Sequence, residues 1–530
     1  MGVCGCSRTM KFDVVIAGGG FAGAYCARAL GRAFGRDEGE DRVALVAERN
    51  VLVFQPMLPE VAGSSLAPAD VVNPLRQFCR GVNVLQGAIQ KIDWASKTLV
   101  LDGGRFTRDH RVAFRHLVLA LGNVTDLGSV PGMPEYGWPM KNVADALRLR
   151  AALINRLEEA NLVEEEEARM RLLTFVVVGG GYTGVETAGQ LLDFIRQAHC
   201  YYANLRSSRL RVVLVHGGGE LLGEIGPELG AYARGVLEGR GVEVRLNSRV
   251  SAVTAGRVIL ADGSWIDANT VVTTVGNAPN PVVMDLCRQI GIEAPKGRVP
   301  TDPFMRVAGT QGLWAAGDGA AVPWNDRGRA RVSPQTAQFA FRQGKLLGKN
   351  VYRSLHGLEP RAFRYRYLGQ LASIGERKAV AEVLGFHFKG FVAWWMWRTI
   401  YLAKLPGTVR KLRVMIDWTF DLVFPRDISQ ILPPPEDVVR AIHLEKGETL
   451  FARGTPCRGF FYVRQGGLTL SAPGLPDRPI PAGSVIDQAE LDSSSLWEAT
   501  AVAAEASDLT VFRGRALEVL RKDLRLVRRG

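Results

Sequence analysis

Apolar positions fall first into a short run, Asp13-Val14-Val15-Ile16-Ala17, closed by glycines and followed by a segment rich in Ala and Leu that reaches Leu30. An unbroken apolar run predicts a buried strand, and the Ala/Leu spacing after the turn predicts a helix. The same order returns later: Leu172-Leu173-Thr174-Phe175-Val176-Val177-Val178, a glycine turn over 179–184, and a helix from Val185 to about Gln197. Between the copies, Glu158, Glu159 and Glu164 to Glu167 lie on a helical pattern and read as a solvated face. Beyond Val351 the pattern changes, with aromatic and basic residues crowding Phe363 to Phe424. Pro433-Pro434-Pro435 then reads as a stiff linker. After it, short strand-like runs separated by Gly and Pro predict an all-β appendage, with a final helix near Arg515 to Leu526.

The two glycine turns carry chemistry. Gly18, Gly20 and Gly23, with Gly19, Phe21 and Ala22 between them, match G-x-G-x-x-G. A missing side chain there allows a tight turn, close approach of a pyrophosphate and close packing of the helix, whose N-terminus attracts the anion. The next apolar strand, Val43-Ala44-Leu45-Val46-Ala47, runs into Glu48, an acid placed to hold ribose hydroxyls. Gly179, Gly181 and Gly184, with Tyr182 and Thr183, repeat the fingerprint, but the strand Arg211 to Val215 that follows ends on His216. Without an acid the residue does not choose between NADH and NADPH; Glu220 is a candidate substitute. Glu186, at the start of the second helix, either faces a nicotinamide and handles a proton or complements the helix dipole. Leu313-Trp314-Ala315-Ala316-Gly317-Asp318 is a short strand ending in Gly-Asp, where the carboxylate can bond flavin ribityl hydroxyls. Strands His116 to Gly122 and Val271 to Gly276 each close on a glycine and read as crossings between two nested domains.

Composition narrows the setting. A 530-residue chain that is 47% hydrophobic and 22% charged is globular and long enough for two to four domains. The net charge of +13 suits an anionic partner without naming one. Seven scattered cysteines, with no C-x-x-C, fit a reducing compartment and no metal site; Cys4 and Cys6 read as an untethered tail. No signal peptide is expected. The longest apolar stretch, Phe391 to Leu405, is interrupted by Arg398 and Lys404 and is too short to cross a bilayer.

Over about residues 11 to 430 the chain resembles the type II, non-pumping NADH:quinone oxidoreductases of the pyridine nucleotide-disulfide oxidoreductase superfamily. Beyond the fingerprints the likeness rests on Phe54-Gln55-Pro56-Met57-Leu58-Pro59-Glu60-Val61-Ala62, on Gly179 through Glu186, and on Pro334-Gln335-Thr336-Ala337-Gln338-Phe339-Ala340. It implies bound FAD, an NADH donor with NADPH not excluded, and a quinone acceptor. Glu186 would lie by the nicotinamide and Gln338 would border the quinone pocket. Gln55, Pro56, Ile89, Gly122, Gly317, Asp318 and Ala337 would join the first glycine loop around FAD, and Gly276 would join the second around the nicotinamide dinucleotide. Arg342 stands where many relatives have Gln, and His216 is the other departure.

The expected architecture is α/β. Two nested Rossmann-like folds are expected at 10–125 with 299–355 for FAD and at 126–298 for NAD(P)H. A membrane-association region with an amphipathic helical anchor is expected at 356–432, and a jelly roll resembling a degenerate cyclic-nucleotide-binding domain at 436–530. The jelly-roll likeness rests on Leu444 to Phe451 and Phe460 to Gly467; no arginine stands in the 485–500 region to meet a cyclic phosphate. Phe386 to Phe424, with Trp394, Trp395 and Trp397 among apolar residues and Lys389, Arg398, Lys404, Arg410, Lys411 and Arg413, is expected to meet the membrane surface. A homodimer on the cytoplasmic side of the cell membrane is expected, with no nucleic acid bound. Two alternatives stay open: a sulfide:quinone oxidoreductase-like enzyme, for which Cys200 and Cys287 are poorly spaced, and a flavoprotein with a cyclic-nucleotide-sensing role.

Overall fold

The computed structural model describes residues 9–104, 107, 109–326, 328–429, 439–455, 459–486 and 496–512. Cys4, Cys6, the proline linker and the helix expected at Arg515 to Leu526 lie outside them. The first apolar run forms strand Met10–Ala17, the centre of a sheet. It pairs in parallel with Val43–Ala47 on one side and His110–Leu119 on the other, and Asn83–Gln86 extends the first side. The long strand His110–Leu119 serves two neighbours: its first half pairs antiparallel with Thr98–Asp102, and its second half in parallel with Leu313–Ala315. A strand from far down the sequence thus enters the first sheet beside the glycine loop, as nesting requires.

The second fold has a five-stranded parallel sheet in the order Gly137–Pro139, Thr270–Thr273, Thr174–Val178, Arg211–Val215, Val242–Arg245. An antiparallel meander, Val250–Val253, Arg257–Leu260 and Trp265–Asp267, covers it. The chain crosses between folds on one antiparallel pair, Asn123–Thr125 against Asn277–Pro279. The glycines preceding these strands, Gly122 and Gly276, have φ of 63° and 90°, a turn few other residues take without strain. Helix Pro281–Gln289 already belongs to the first fold, since Gln289 Nε2 donates to Ile92 O and Gln289 Oε1 accepts from Trp94 N. The return therefore falls near residue 280, not at 298/299: the paired crossing strands carry both connections at one place.

Helix Ala337–Leu355 packs on helix Phe21–Phe34 so closely that a β-carbon at Gly344 would lie 2.1 Å from Ala22 O. After it comes a three-stranded antiparallel sheet, Gly369–Gly375, Lys378–Val383 and Phe386–Gly390, then helices Phe391–Lys404 and Thr408–Phe420. The expected anchor thus begins as sheet, and its helical part starts at Phe391. Among the described residues no helix is long and apolar enough to cross a membrane.

Residues 439–512 form a separate β unit with its own core. One sheet runs Val439–Leu444, Ser507–Phe512, Phe460–Gln465, Val485–Ile486; the other runs Thr449–Phe451, Thr500–Ala503, Gly467–Ser471, Arg478–Pro481. It docks on the second fold: Tyr136 OH donates to His443 O and accepts from His443 N, and Thr254 Oγ1 donates to Glu448.

Candidate active site

Both glycine loops have the geometry of an anion cradle. Gly18 and Gly179 take φ of 114° and 117°, and a β-carbon on Gly23 or Gly184 would sit 1.8 Å from the carbonyl oxygen of Gly18 or Gly179. At Gly20 and Gly181, each the residue capping a helix, a β-carbon would meet no protein atom within 4 Å. This is open space in front of free helix amides, the place for a pyrophosphate.

Strand register corrects one expectation. Ala17 pairs with Val46 and Val178 with Val215, so the residue beside the first glycine is Ala47 in one fold and His216 in the other. Glu48 stands one step further out, corresponding to Gly217. It is exposed and makes no bond among the described residues, so its carboxylate is available to a ligand. His216 Nδ1 accepts from Gly180 N at 3.1 Å, and burial lowers the ring's pKa, keeping it neutral at neutral pH. The Glu220 side chain folds back beside Gly223, where a β-carbon would lie 3.4 Å from its Oε1.

The Gly317-Asp318 turn is held by residues that the sequence did not single out. Gln343 Oε1 accepts from Gly317 N at 2.8 Å while its Nε2 donates to Ser333 Oγ. Arg298 donates to Ala320 O and Ser333 O. Burial raises the pKa of Asp318, with Lys141 and Arg298 opposing. Buried Gln343 lies on the apolar face of a helix, the one signal that could have marked it. Gln55 Nε2 donates to Lys141 O, Pro56 is half-buried in the following turn, and Ile89 is half-buried on strand Ala88–Asp93. Thr336 Oγ1, at the N-terminus of helix Ala337–Leu355, is buried and unpartnered, as is expected of a donor facing a bound group. The open cradles, the exposed Glu48, Asp318 and the orphaned Thr336 hydroxyl together fit FAD.

Three segments converge between the folds. Glu186 is buried, and its Oε1 accepts from Ser373 N and from Trp397 Nε1, both at 3.1 Å. Burial pushes its carboxyl up to about 8; those donors only partly offset it, and neighbouring Glu60 adds to the rise. Gln338 donates to Gly369 O and accepts from Tyr365 OH at 3.0 Å, which fixes its amide. Arg342 donates to Gln338 O and lies over the rings of Phe341 and Tyr365. Tyr401 packs edge-on against Phe54 and against Trp397, and Tyr182 OH donates to Gln370. The structure thus brings Glu186 and Gln338 against one strand, Gly369–Gly375. Tyr182, from the second glycine fingerprint, completes the lining with Tyr365, Trp397 and Tyr401, which no site motif announced.

Two glycine-cradled dinucleotide folds, one inserted in the other, define a flavin- and nicotinamide-dependent oxidoreductase. Residues 12–344 match the family described as pyridine nucleotide-disulphide oxidoreductase, and 367–427 match the NDH2 C-terminal domain. The type II NADH:quinone oxidoreductase Ndh of Mycobacterium tuberculosis is 29% identical over 78% of this chain and 89% of its own. The demethylphylloquinone reductase NdbB of Synechocystis is 30% identical over 76% of this chain and 95% of its own. NDH2 of Plasmodium falciparum, solved with NADH, has the same fold: TM-score 0.72 at 18% identity, covering 80% of this chain and all of that one. The chain belongs to the pyridine nucleotide-disulphide oxidoreductases and, within them, to the type II NADH:quinone oxidoreductases.

Proposed function

We propose that the chain oxidises NADH in its second fold and reduces a quinone at the lining built on Gly369–Gly375, with FAD held in its first. The pair of open glycine cradles carries this reading. Bound FAD supplies the two-electron link between a hydride donor and a quinone. The protein's own work is positional: Gly18 to Gly23, Glu48, Gln55, Pro56, Ile89, Gly122, Gly317, Asp318 and Ala337 hold the flavin dinucleotide. Gly179, Gly181, Tyr182, Thr183, Gly184 and Gly276 hold the nicotinamide dinucleotide. Glu186 holds a proton at its buried carboxyl, and Gln338, its amide fixed from both sides, presents a donor edge to the quinone.

The membrane surface is the source of that quinone in this reading. Leu412, Ile416 and Phe420 recur every four residues on the exposed face of helix Thr408–Phe420, whose other face buries Val414 and Trp418. Phe391 and Trp395 are exposed on the neighbouring helix. On the striped helix Lys411, which donates to Ala403 O, and Arg413, which pairs with Asp70, add positive charge for anionic headgroups. Trp394 and Trp397, expected at the interface, point inward and are buried. Peripheral binding of a second copy of the chain, making a homodimer, and docking on the cytoplasmic side complete the proposal. The terminal β unit has the strand order of a jelly roll, and its interior is filled by Trp497 stacked on Phe451 at 3.8 Å. It reads as a packing or assembly module.

Stopped-flow bleaching of the flavin with NADH, NADPH and sulfide in parallel, followed by reoxidation with a quinone, tests the reading. NADH is expected to bleach and quinone to restore the colour; an NADH arm that leaves the flavin oxidised would sink it. Cosedimentation with anionic vesicles tests the surface, and loss on L412S/I416S/F420S is the expected result. Calorimetry with cyclic AMP and cyclic GMP is expected to show no heat.

A further inference from the structure

Glu60 sits on helix Leu58–Ala62 of the first fold and Glu186 on helix Tyr182–His199 of the second. Each is only 5% exposed. Each accepts an indole N–H from a different C-terminal helix: Trp397 Nε1 donates to Glu186 at 3.1 Å and Trp418 Nε1 to Glu60 Oε2 at 2.9 Å. The two indoles pack on one another with ring centroids 5.8 Å apart. Neither carboxylate forms an ion pair among the described residues. A buried carboxylate with only neutral donors keeps a proton rather than a charge.

We propose that Glu60 and Glu186 form one coupled proton-holding pair across the two folds. Glu60 is its positioning residue, setting when Glu186 carries the proton that completes quinol formation. The inference rests on the NADH:quinone reading. In NADH + H⁺ + quinone → NAD⁺ + quinol, a dihydronicotinamide C–H bond breaks and its electron pair reduces the quinone. Two O–H bonds form, so one proton must be drawn from outside the hydride. Glu186 gives that proton and solvent replaces it.

The groups facing the pair set its poise. Arg398, whose guanidinium lies 4.1 Å from the Trp394 ring and 4.9 Å from that of Trp418, favours ionised Glu60, as does Arg426, while Asp421 opposes them. Glu186 faces Ser373 N–H, the Trp397 indole, the neutral Tyr182 and Tyr401, and Glu60. Burial pushes both carboxyls up, but Arg398 and Arg426 favour ionised Glu60 while no cation among the described residues faces Glu186, so the charge falls on Glu60 and keeps the proton on Glu186. Helix Leu58–Ala62 packs directly on helix Tyr182–His199, which brings the folds' two acids together, and the packed Trp397 and Trp418 indoles bond one acid each.

The test uses full-length, flavin-loaded protein. Infrared difference spectra of the resting protein, stepped across neutral pH, follow the buried carboxyl C=O bands without donor or quinone. Wild type should show two bands that titrate together. E60Q keeps an acceptor for Trp418, removes one band and should shift the other to lower pH by about one unit. The alkaline limb of kcat for quinone reduction should shift with it, while bleaching by NADH stays within about twofold; E60D should restore the wild-type limb. A remaining band and limb that stay in place overturn the pair, and NADH bleaching retained in the same sample shows that only the pair has failed. If E60Q does not fold, W418F replaces it: removing the donor should carry the Glu60 band to higher pH, and an unmoved band overturns the proposal.

Discussion

The two dinucleotide folds share one backbone at their cradles and differ in the side chains around it. Their cradles superpose in every strained feature: φ of 114° against 117° at the first glycine, 1.8 Å from the third glycine's β-carbon site to a carbonyl in both, and open space at the second. The divergences are side chains. Beside the first glycine stands Ala47 in one fold and His216 in the other, and two residues past the third glycine stands Tyr25 in one and Glu186 in the other. Tyr25 packs edge-on against Phe78, structural filling, whereas Glu186 is a buried acid that accepts from Ser373 N and the Trp397 indole. The backbone makes a generic pyrophosphate seat; on the proposed reading, a side chain at each of two addresses tells the two dinucleotides apart.

The largest effects come from breaking one cradle at a time. In G23A the new β-carbon collides with the Gly18 carbonyl, so the purified protein should carry little flavin at any concentration tested. In G184A the equivalent clash leaves the first fold intact: flavin content should be unchanged while bleaching by NADH falls by about 10²-fold or more. Flavin-to-protein ratio and stopped-flow rates distinguish them. If G184A lost flavin as well, the folds would not be independent seats.

Next comes Glu186, where the two helices differ. E186Q keeps the acceptor for Trp397 and Ser373 but cannot hold a transferable proton, so kcat for quinone reduction should drop by roughly 10²-fold. The same variant reports on stability. The folded pKa, about 8, lies above the ordinary 4.5, so the native state holds a proton that the unfolded chain has lost between those values. Stability contributed by that proton is full at low pH and is lost as pH rises through the window. A melting series should therefore slope downward from about pH 5 to 8 in wild type, and less steeply in E186Q.

The cradles were legible because glycine is the cheap solution to a positive φ and to a clash, so backbone geometry is written directly in residue type. Asp318 and Gln338 were found through short motifs. The register of the strand beside each cradle was not, since Glu48 and His216 both follow an apolar run and only pairing shows that one is a step further out. Glu60, Trp397, Trp418 and Tyr401 were visible as residues but not as a cluster: Glu60 stands 358 residues before Trp418 and is joined to the three aromatic residues only by tertiary packing. The tryptophans misled for a physical reason. An indole serves an interface or a core equally well, and here its N–H was needed by a buried carboxylate.

His216 offers the sharper test of the comparison. A neutral ring beside Gly179 neither bonds a ribose 2′-hydroxyl as an acid would nor repels a 2′-phosphate. NADPH should therefore be used with kcat/KM within about tenfold of NADH. H216E keeps an acceptor for Gly180 N–H and adds a charge, so discrimination against NADPH should rise by about ten- to a hundredfold, the worth of one charged hydrogen bond. Wild type that already rejects NADPH strongly would mean another residue reads the ribose.

Glu48 should show the smallest effect, and the register explains why. Its carboxylate corresponds to Gly217, one residue beyond His216, so it approaches a ribose from further out and through solvent. An exposed acid making one such contact contributes about 1 kcal/mol or less, so E48A should weaken FAD by about fivefold at most, measured by flavin release on dilution. Moving the acid inward, A47E with E48A, puts a carboxylate against Gly19, whose β-carbon site lies only 2.7 Å from Ala47 Cβ. If that double variant binds FAD more tightly than E48A alone, then the position beside the first glycine is the address that reads the ribose in both folds, and Glu48 holds it from a neighbouring step.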